Sequence, residues 1–210
     1  MIDTKMTKTA GCLFIISAPS GAGKTSLVKA LLQSDRSLSL SISHTTREPR
    51  ADEINGKDYY FVSKEIFQQM LTNGEFLESA EVYGNLYGTS QRWINTAVTS
   101  GQDILLEIDC QGAQQIRQVF PKSISVFILP PSIDVLATRL KTRAQDDLAV
   151  IQKRLAAARE EVGHISEFDY VIINNELEEA LNDLICIITA VRLSKERQLI
   201  KYKSLINQLL

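Results

Sequence analysis

Residues 18–25 combine residue types and a spacing that can bind phosphate, in the order Ala-Pro-Ser-Gly-Ala-Gly-Lys-Thr. The segment fits the pattern G-x-x-x-x-G-K-[ST] except at Ala18, which replaces the first glycine. Small residues let backbone N–H groups curl around phosphate oxygens, and a following helix directs its positive end at the anion. Lys24 would neutralise the β- and γ-phosphates of a nucleotide, and Thr25 would offer a hydroxyl to Mg²⁺. The segment therefore predicts a nucleotide-phosphate site rather than an ordinary glycine-rich turn.

A second group of reactive side chains lies at 104–109, Ile-Leu-Leu-Glu-Ile-Asp, an apolar run with carboxylates at its carboxyl end. In open α/β sheets, ligands bind outside the carboxyl ends of the strands. Asp109 is therefore a candidate to hold magnesium-bound water or a second substrate. The alternative is a carboxylate that only caps the next turn.

Two arginines three residues apart, Arg47 and Arg50, flank Pro49 and precede Tyr59. Such a pair forms a fork for the dianion of a phosphate monoester, to which a tyrosine phenol can add a donor. Arg-x-x-Arg alone is more often a solvated loop. Its position in a strand-rich segment after the phosphate loop favours the phosphate site.

The elements that must position these residues alternate between strands and helices. The predicted strands of a main sheet cover residues 12–17, 38–43, 103–108, 124–129 and 170–173. Helical patterns separate them, which predicts a parallel sheet covered on both faces. Residues 42–102 differ, because their close-spaced alternating strands predict an inserted, partly antiparallel subdomain. Residues 176–206 predict one long amphipathic helix or two.

The composition favours a folded globular protein of one large domain, with or without small inserts. The 210 residues are 44% hydrophobic and 23% charged, with a formal net charge of −2, which excludes wholesale disorder and lacks the basic excess of a dedicated nucleic-acid binder. The three cysteines are far apart and lie in or beside apolar stretches, so we expect reduced, buried thiols. With no secretory pattern and no apolar run of roughly 20 residues, we expect a cytoplasmic protein.

Five motifs carry a resemblance that runs over essentially the whole chain, at residues 17–25, 45–50, 81–89, 108–112 and 128–132. With these motifs the sequence resembles the guanylate kinases, which transfer phosphate from ATP to GMP. The resemblance implies an α/β fold of the P-loop nucleoside monophosphate kinase type, with a parallel sheet flanked by helices, an inserted GMP-binding subdomain and a helical lid. The implied divisions are core at 1–41, 103–137 and 155–210, the GMP-binding subdomain at 42–102, and the lid at 138–154.

The resemblance also implies roles for individual residues. ATP would be bound by Ala18, Pro19, Ser20, Gly21, Ala22, Gly23, Lys24, Thr25 and Ser26. The GMP phosphate would be bound by Arg47, Arg50, Tyr59 and Tyr87, the guanine by Ser43, Glu78, Thr89 and Asp109, and Glu53 is assigned to the same GMP site. The catalytic residues would be Lys24, Arg47, Arg139, Arg143 and Arg154, the last three from the lid and its hinge. Magnesium would accompany ATP, held by Thr25 partly through water and by Asp109.

Some features depart from the family or stay open. Glu107 stands where aspartate is common, which leaves the magnesium ligands undecided. The arginines of residues 139–154 also fit a charged helix face. Asn174 is a candidate contact for adenine. The expected partners are ATP and GMP or dGMP, without nucleic acid or membrane, and a homodimer or higher homo-oligomer is left open. The competing functions are another nucleoside monophosphate kinase, a non-catalytic guanylate-kinase-like interaction module, and a kinase of a phosphorylated sugar.

Overall fold

The structure, a computed structural model, describes residues 9–82, 84–144 and 148–210, with the side chains of 142–144 and 148–151 outside the description. The chain begins with β1 (Leu13–Ser17), α1 (Lys24–Ser34), β2 (Leu38–Leu40), β3 (His44–Thr45), β4 (Tyr60–Phe61), α2 (Lys64–Thr72), β5 (Phe76–Val82) and β6 (Asn85–Ser90). It continues with α3 (Gln91–Thr99), β7 (Asp103–Glu107), α4 (Cys110–Val119), β8 (Ile124–Leu129), α5 (Ile133–Ala144), α6 (Leu148–Val162), β9 (Tyr170–Ile173), α7 (Leu177–Arg192), α8 (Lys195–Lys201) and α9 (Lys203–Leu209).

The main sheet is parallel throughout and has the strand order β2-β7-β1-β8-β9. Its central strand, β1, is buried along its whole length, as its unbroken apolar sequence predicts for a parallel strand covered on both faces. The strands on either side of β1 belong to later parts of the chain. The carboxyl end of β1 is therefore a topological switch point, where ligands bind in such sheets.

Alternation of side chains along β1 divides the hydrophobic core into two layers. Phe14 and Ile16 pack on one face with residues of α1 and α7, such as Leu27. Leu13 and Ile15 pack on the other face with residues of α3 and α4. Because both faces of β1 are packed at interior density, the loop that leaves its carboxyl end starts from a rigid point.

The middle segment forms a second, mixed sheet in the order β4-β3-β6-β5, which confirms the mixed character predicted for this region. The predicted strand at 38–43 is shorter than expected: only β2 joins the main sheet, residues 41–43 are not in a strand, and β3 follows them as the first strand of the second sheet. The sequence analysis missed β6, which contains Gly88. A Cβ at Gly88 would lie 2.8 Å from the ring of Phe76 on the paired strand, so the ring covers the glycine and supplies the missing packing.

The predicted C-terminal helix is divided into α7, α8 and α9, with Ser194 in a non-helical conformation between the first two. The prediction that all three cysteines are buried was wrong for Cys186, which is exposed on α7. Cys110 is buried, and Cys12 is half-buried. Burial raises the pKa of the Cys12 and Cys110 thiols, so both are kept protonated and unreactive. Among the residues that the structure describes, no helix is both long and apolar enough to cross a membrane.

A buried carboxylate fastens the C-terminal helices to the amino-terminal edge of the main sheet. Asp103, the first residue of β7, accepts hydrogen bonds from the Cys12 N–H at 2.7 Å, from Arg192 Nε at 2.8 Å and from Arg197 Nη2 at 3.1 Å. Its side chain is 7% exposed, so these charges interact with little screening by solvent.

Replacing Asp103 with alanine should therefore lower the free energy of unfolding by about 3 kcal/mol, since two partly buried guanidinium groups lose their common partner. Denaturant unfolding measured by circular dichroism gives this quantity.

Glu196 provides the control, because its pair with Lys122 spans 3.7 Å between side chains that are 79% and 91% exposed. Glu196→Ala should change the free energy of unfolding by less than about 0.5 kcal/mol. Equal losses in the two variants would show that Asp103 does not fasten these helices.

Candidate active site

The phosphate loop joins the carboxyl end of β1 to the first residue of α1, as predicted. Gly23 precedes the helix with φ of 94°, a left-handed conformation that favours glycine. A Cβ at Gly23 would also lie 2.2 Å from Nδ2 of Asn174. Glycine at position 23 is thus required both by the backbone angle and by the close approach of Asn174, which follows β9.

Two side chains donate hydrogen bonds to a backbone carbonyl of this loop. Nδ2 of Asn174 donates to the Ala22 carbonyl at 2.8 Å, and Nη1 of Arg139 donates to the same carbonyl at 3.3 Å. Nη2 of Arg139 also donates to the Asn174 carbonyl at 3.2 Å. Asn174 is buried, and its amide group is engaged with the loop. The adenine contact expected of Asn174 stays a prediction, whereas its support of the loop is observed.

The residues expected to act on phosphate and metal meet at the carboxyl end of β7. Nζ of Lys24 donates to the Ile108 carbonyl at 3.0 Å, and the Thr25 hydroxyl donates to Oε1 of Glu107 at 2.6 Å. A hydroxyl beside a carboxylate is a donor set that suits Mg²⁺, a cation that prefers oxygen ligands. The described ranges contain no group of three or more His, Cys, Asp or Glu side chains that could hold a metal. A magnesium ion here would need phosphate and water oxygens as well, as Mg²⁺ in kinase sites does.

Asp109 lines the same cleft as Thr25 and Glu107, and its carboxylate makes a separate hydrogen bond. Its Oδ1 accepts a hydrogen bond from the Gly112 N–H at 2.9 Å, which caps α4. Asp109 therefore caps α4 and also lines the cavity in front of β7, so its role toward a ligand stays a prediction. The carboxylate bonded to Thr25 is that of Glu107, so Glu107 is the better candidate to face the metal.

Two adjoining cavities occupy this end of the sheet. A cleft of about 560 Å³ runs along the phosphate loop and is lined by Ala18, Pro19, Ser20, Gly21, Gly23, Lys24, Thr25, Ser26, Arg50, Tyr59, Tyr87, Arg139 and Arg154, among others. A pocket of about 160 Å³ lies between the two sheets and is lined by Lys24, Ser43, Tyr59, Glu78, Tyr87, Glu107 and Asp109, among others. Lys24, Tyr59 and Glu107 belong to both, so a group bound in the pocket would lie next to a phosphate bound on the loop.

The inner pocket contains a buried carboxylate with a hydroxyl network. Glu78 is 4% exposed, and its Oε1 accepts a hydrogen bond from the Thr89 hydroxyl at 2.5 Å. The Ser43 hydroxyl lies 3.4 Å from that of Thr89. Burial raises the pKa of Glu78 to about 7, and the neighbouring Asp109 adds to the increase. A ligand that donates hydrogen bonds to Glu78 would stabilise its ionised form, so the pocket favours a ligand with hydrogen-bond donors.

Glu53 organises the arginine pair, of which Arg50 lines the cleft. Its Oε1 lies 2.8 Å from Nη2 of Arg47 and 3.6 Å from Nη1 of Arg50, and its Oε2 accepts from the Arg50 N–H. Arg50 faces the cleft and is 58% exposed, whereas Arg47 is 17% exposed, beside the rings of Tyr59 and Phe61. Glu53 thus holds the two arginines together, with Arg50 exposed to the cleft and Arg47 more deeply buried.

Tyr59 and Tyr87 close the side of the cleft where the arginine pair lies. Their rings are 5.9 Å apart, edge to face, and both line the cleft and the pocket. Burial raises the pKa of Tyr59 to about 12, so its phenol remains a hydrogen-bond donor at neutral pH.

The predicted lid corresponds to parts of α5 and α6. Arg139 on α5 and Arg154 on α6 both line the cleft, which they share with the phosphate loop and Arg50. Arg143 belongs to α5, and its side chain lies outside the described residues, as does the backbone of 145–147.

Sequence reasoning missed Glu161, which lines the same cleft from the last turn of α6. Its side chain shares this cleft with Ser20 and Lys24 of the phosphate loop. The available signal was its spacing: Glu161 follows Arg154 by seven residues, which places both on one face of the helix.

A glycine-rich loop at the switch point of a parallel sheet, with a lysine, a hydroxyl–carboxylate pair and a second pocket opening on the same cleft, defines a P-loop phosphotransferase. The family model described as guanylate kinase matches residues 11–191. The chain belongs to the guanylate kinase family.

Its relatives agree with this assignment. The chain is 60% identical to the guanylate kinase of Nitrosospira multiformis, over 97% of each chain, and 60% identical to that of Nitrosomonas europaea, over 93% of this chain and 97% of the relative. A crystal structure of guanylate kinase from Anaplasma phagocytophilum superimposes with a TM-score of 0.76 at 35% identity, over 92% of each chain. The predicted fold class is confirmed, whereas the roles of single residues and the domain boundaries stay predictions.

The raised pKa of Glu78 predicts a pH-dependent effect on stability. Because its native pKa, about 7, exceeds the ordinary value of 4.5, the folded protein binds more protons than the unfolded chain between these pH values. Glu78 therefore lowers stability progressively as pH rises from about 4.5 to about 7. Glu78→Gln, which imitates the protonated acid, should stabilise the protein at pH 8 by about 3 kcal/mol more than near pH 4.5.

Denaturant unfolding at pH 4.5 and pH 8 measures this difference. Glu81→Gln is the matched control, since Glu81 is exposed on the same strand. A stability gain for Glu78→Gln that is the same at both pH values would contradict a raised pKa at Glu78.

Proposed function

We propose that the protein transfers the γ-phosphoryl group of ATP to GMP or dGMP, giving ADP and GDP. One observation carries the proposal: the phosphate cleft and the carboxylate-containing pocket adjoin and share Lys24, Tyr59 and Glu107. A donor phosphate on the loop and an acceptor phosphate at the mouth of the pocket would then be neighbours. The names of the relatives, which are guanylate kinases, support the same reaction.

At the donor end, the loop backbone and Lys24 hold the ATP phosphates. Lys24, whose Nζ donates to the Ile108 carbonyl, is close enough to the loop to direct its charge toward the transferring group. Magnesium, when bound, neutralises charge on the β- and γ-phosphate oxygens. Thr25 and Glu107 would hold this ion, partly through water, and Asp109 lies within the same cavity to bind one of its waters.

At the acceptor end, the phosphate of GMP is held by Arg50 and Arg47, with the phenols of Tyr59 and Tyr87. Phosphoryl transfer depends mainly on positioning and charge neutralisation. No general base is required, because the acceptor oxygen already belongs to a phosphate anion. Glu53 acts by keeping the two guanidinium groups together.

The pocket selects guanine through the direction of its hydrogen bonds. Guanine presents two donors, N1–H and the N2 amine, and an acceptor, O6. Glu78 and Asp109 supply acceptors, and the hydroxyls of Ser43 and Thr89 supply donors. Adenine presents an acceptor at N1, which would leave a buried carboxylate without a partner.

The lid completes the site on the side of ATP. Arg139, Arg143 and Arg154 stabilise the phosphate oxygens during transfer, and closure of the lid excludes water as a competing acceptor. Arg139 and Arg154 already line the cleft, which supports this assignment. The divisions proposed from the sequence follow these functions, with the GMP-binding subdomain at 42–102 and the lid at 138–154.

The competing functions are less well supported. A non-catalytic interaction module has no need of Lys24, Arg47 and Arg50, all of which are present. A kinase of another nucleotide or of a phosphorylated sugar would not need Glu78 in a buried pocket. The three unpaired cysteines support a cytoplasmic location, where thiols stay reduced.

Lys24→Met should reduce kcat by about 10²–10³, the effect of removing one preorganised electrostatic group. Coupled measurement of ADP formation with ATP and GMP gives kcat, and circular dichroism checks that the variant is folded. Lys64→Met on α2, where the lysine is exposed, should leave kcat unchanged. A folded Lys24→Met variant with near-normal turnover would refute the assignment of the loop.

The wild-type protein should prefer GMP to AMP in kcat/KM by about 10⁴, because a site built on hydrogen bonds rejects the partner that leaves them unmade. Glu78→Gln should lower kcat/KM for GMP by about 100-fold, since an amide nitrogen replaces one acceptor oxygen. The measurement is kcat/KM for both nucleotides with each variant.

Arg47→Ala separates recognition of phosphate from recognition of the base. It should lower kcat/KM for GMP and for AMP by similar factors and leave their ratio unchanged. If the wild-type protein uses AMP as well as GMP, or if Glu78→Gln leaves the ratio unaltered, guanine is not bound by Glu78.

A further inference from the structure

Strand β5 forms one wall of the inner pocket and lies at the edge of the second sheet. Alternate residues of β5, namely Glu78, Ala80 and Val82, line the pocket. Its pairing with β6 shifts register between Phe76 and Glu78, so the ladder is irregular just before the buried carboxylate. Backbone pairing on one side therefore leaves the placement of Glu78 dependent on what holds the outer edge of β5.

Gln115 on α4 holds that outer edge. The Ser79 N–H donates to Oε1 of Gln115 at 3.1 Å, and Nε2 of Gln115 donates to the Ser79 carbonyl at 2.8 Å. One side-chain amide thus satisfies both backbone groups of a strand residue, as a residue of a neighbouring antiparallel strand does. Two parallel hydrogen bonds fix the orientation of β5 as well as its distance from α4. Ser79 directly follows Glu78, so the contact holds the strand beside that carboxylate.

The same helix holds the second carboxylate of the pocket. Asp109 is the N-cap of α4, and its Oδ1 accepts a hydrogen bond from the Gly112 N–H. A Cβ at Gly112 would lie 2.6 Å from Oε2 of Glu78, so the first turn of α4 packs directly against that carboxylate. Helix α4 therefore sets how far apart the two carboxylates lie.

We propose that Gln115 is a positioning residue for selection of the base: by fastening β5 to α4, it holds Glu78 where that carboxylate, together with Asp109, accepts the hydrogen bonds of guanine. The inference rests on the proposed function, since it concerns the site of GMP. Gln115 acts through Glu78 and not on the nucleotide. Hydrogen bonds discriminate between bases only when their acceptors are held in place, so loss of the contact weakens recognition of guanine while the phosphate sites remain.

The test is steady-state kinetics of the full-length protein carrying Gln115→Met, which keeps the length of the side chain and removes both hydrogen bonds. The value of kcat/KM for GMP should fall about tenfold, the effect of weakening a hydrogen bond to a charged group. The loss should appear in KM for GMP, with kcat and KM for ATP unchanged. Because adenine has no N1–H to donate to Glu78, kcat/KM for AMP should hardly change, and the preference for GMP should fall about tenfold.

A matched control is Gln114→Met, at the adjacent and exposed position of α4, which should leave all these constants unchanged. Gln115→Glu keeps an acceptor for the Ser79 N–H and loses the donor to the Ser79 carbonyl. It should also lower the preference for GMP, and it serves if Gln115→Met does not fold, which circular dichroism detects. Calorimetry of GMP binding without ATP should show the same weakening as KM.

A folded Gln115 variant with the wild-type preference for GMP over AMP overturns the inference alone. Equal losses toward both nucleotides also overturn it, because a merely structural role would lower the two values of kcat/KM together. Wild-type protein that shows no preference for GMP would instead refute the proposed function, and the inference with it.

Discussion

The carbonyl group of Ala22 is the point on which the active site depends. A loop whose N–H groups converge on an anion must turn its carbonyl groups outward, and a buried carbonyl needs a donor. Asn174, after β9, and Arg139, on α5, both donate to this oxygen. β9, which ends just before Asn174, and α5 are thereby fixed to the loop. Gly23 must lack a side chain so that Asn174 can reach the Ala22 carbonyl.

In the acceptor site proposed above, the base and the phosphate would need side chains of opposite charge. Glu78 and Asp109 line the pocket, and Arg50 lines the adjoining cleft. Burial opposes the ionisation of Glu78. At pH 7 and above, the folded protein is therefore less stable than it would be with an uncharged residue at this position. Selectivity for a base that donates two hydrogen bonds is a physical reason to keep the acid there, and sites of this kind often sacrifice stability for function.

Local patterns in the sequence were sufficient for the parts of the structure that local physics decides. The loop motif and the buried run of β1 required no knowledge of distant residues. Strand β6 was missed because Gly88 has a low preference for strands, which only the Phe76 ring of another strand offsets. Exposure of Cys186 depends on which face of α7 meets the sheet, and the apolar residues on both sides of it concealed that face.

Glu53 was assigned to the GMP site from the family resemblance, but its contacts could not be predicted, and Glu161 was missed, because the role of a carboxylate depends on the groups that it contacts in the folded protein. Glu53 lies between two arginines, and Glu161 lines the cleft beside the phosphate loop. Groups assembled to bind a phosphate repel one another, or remain unsatisfied, until the phosphate arrives. The carboxylate of Glu53 offsets that cost and keeps the two guanidinium groups in place. Because a carboxylate has fewer charged oxygens than a phosphate, a phosphate group can still take over the donors that Glu53 holds.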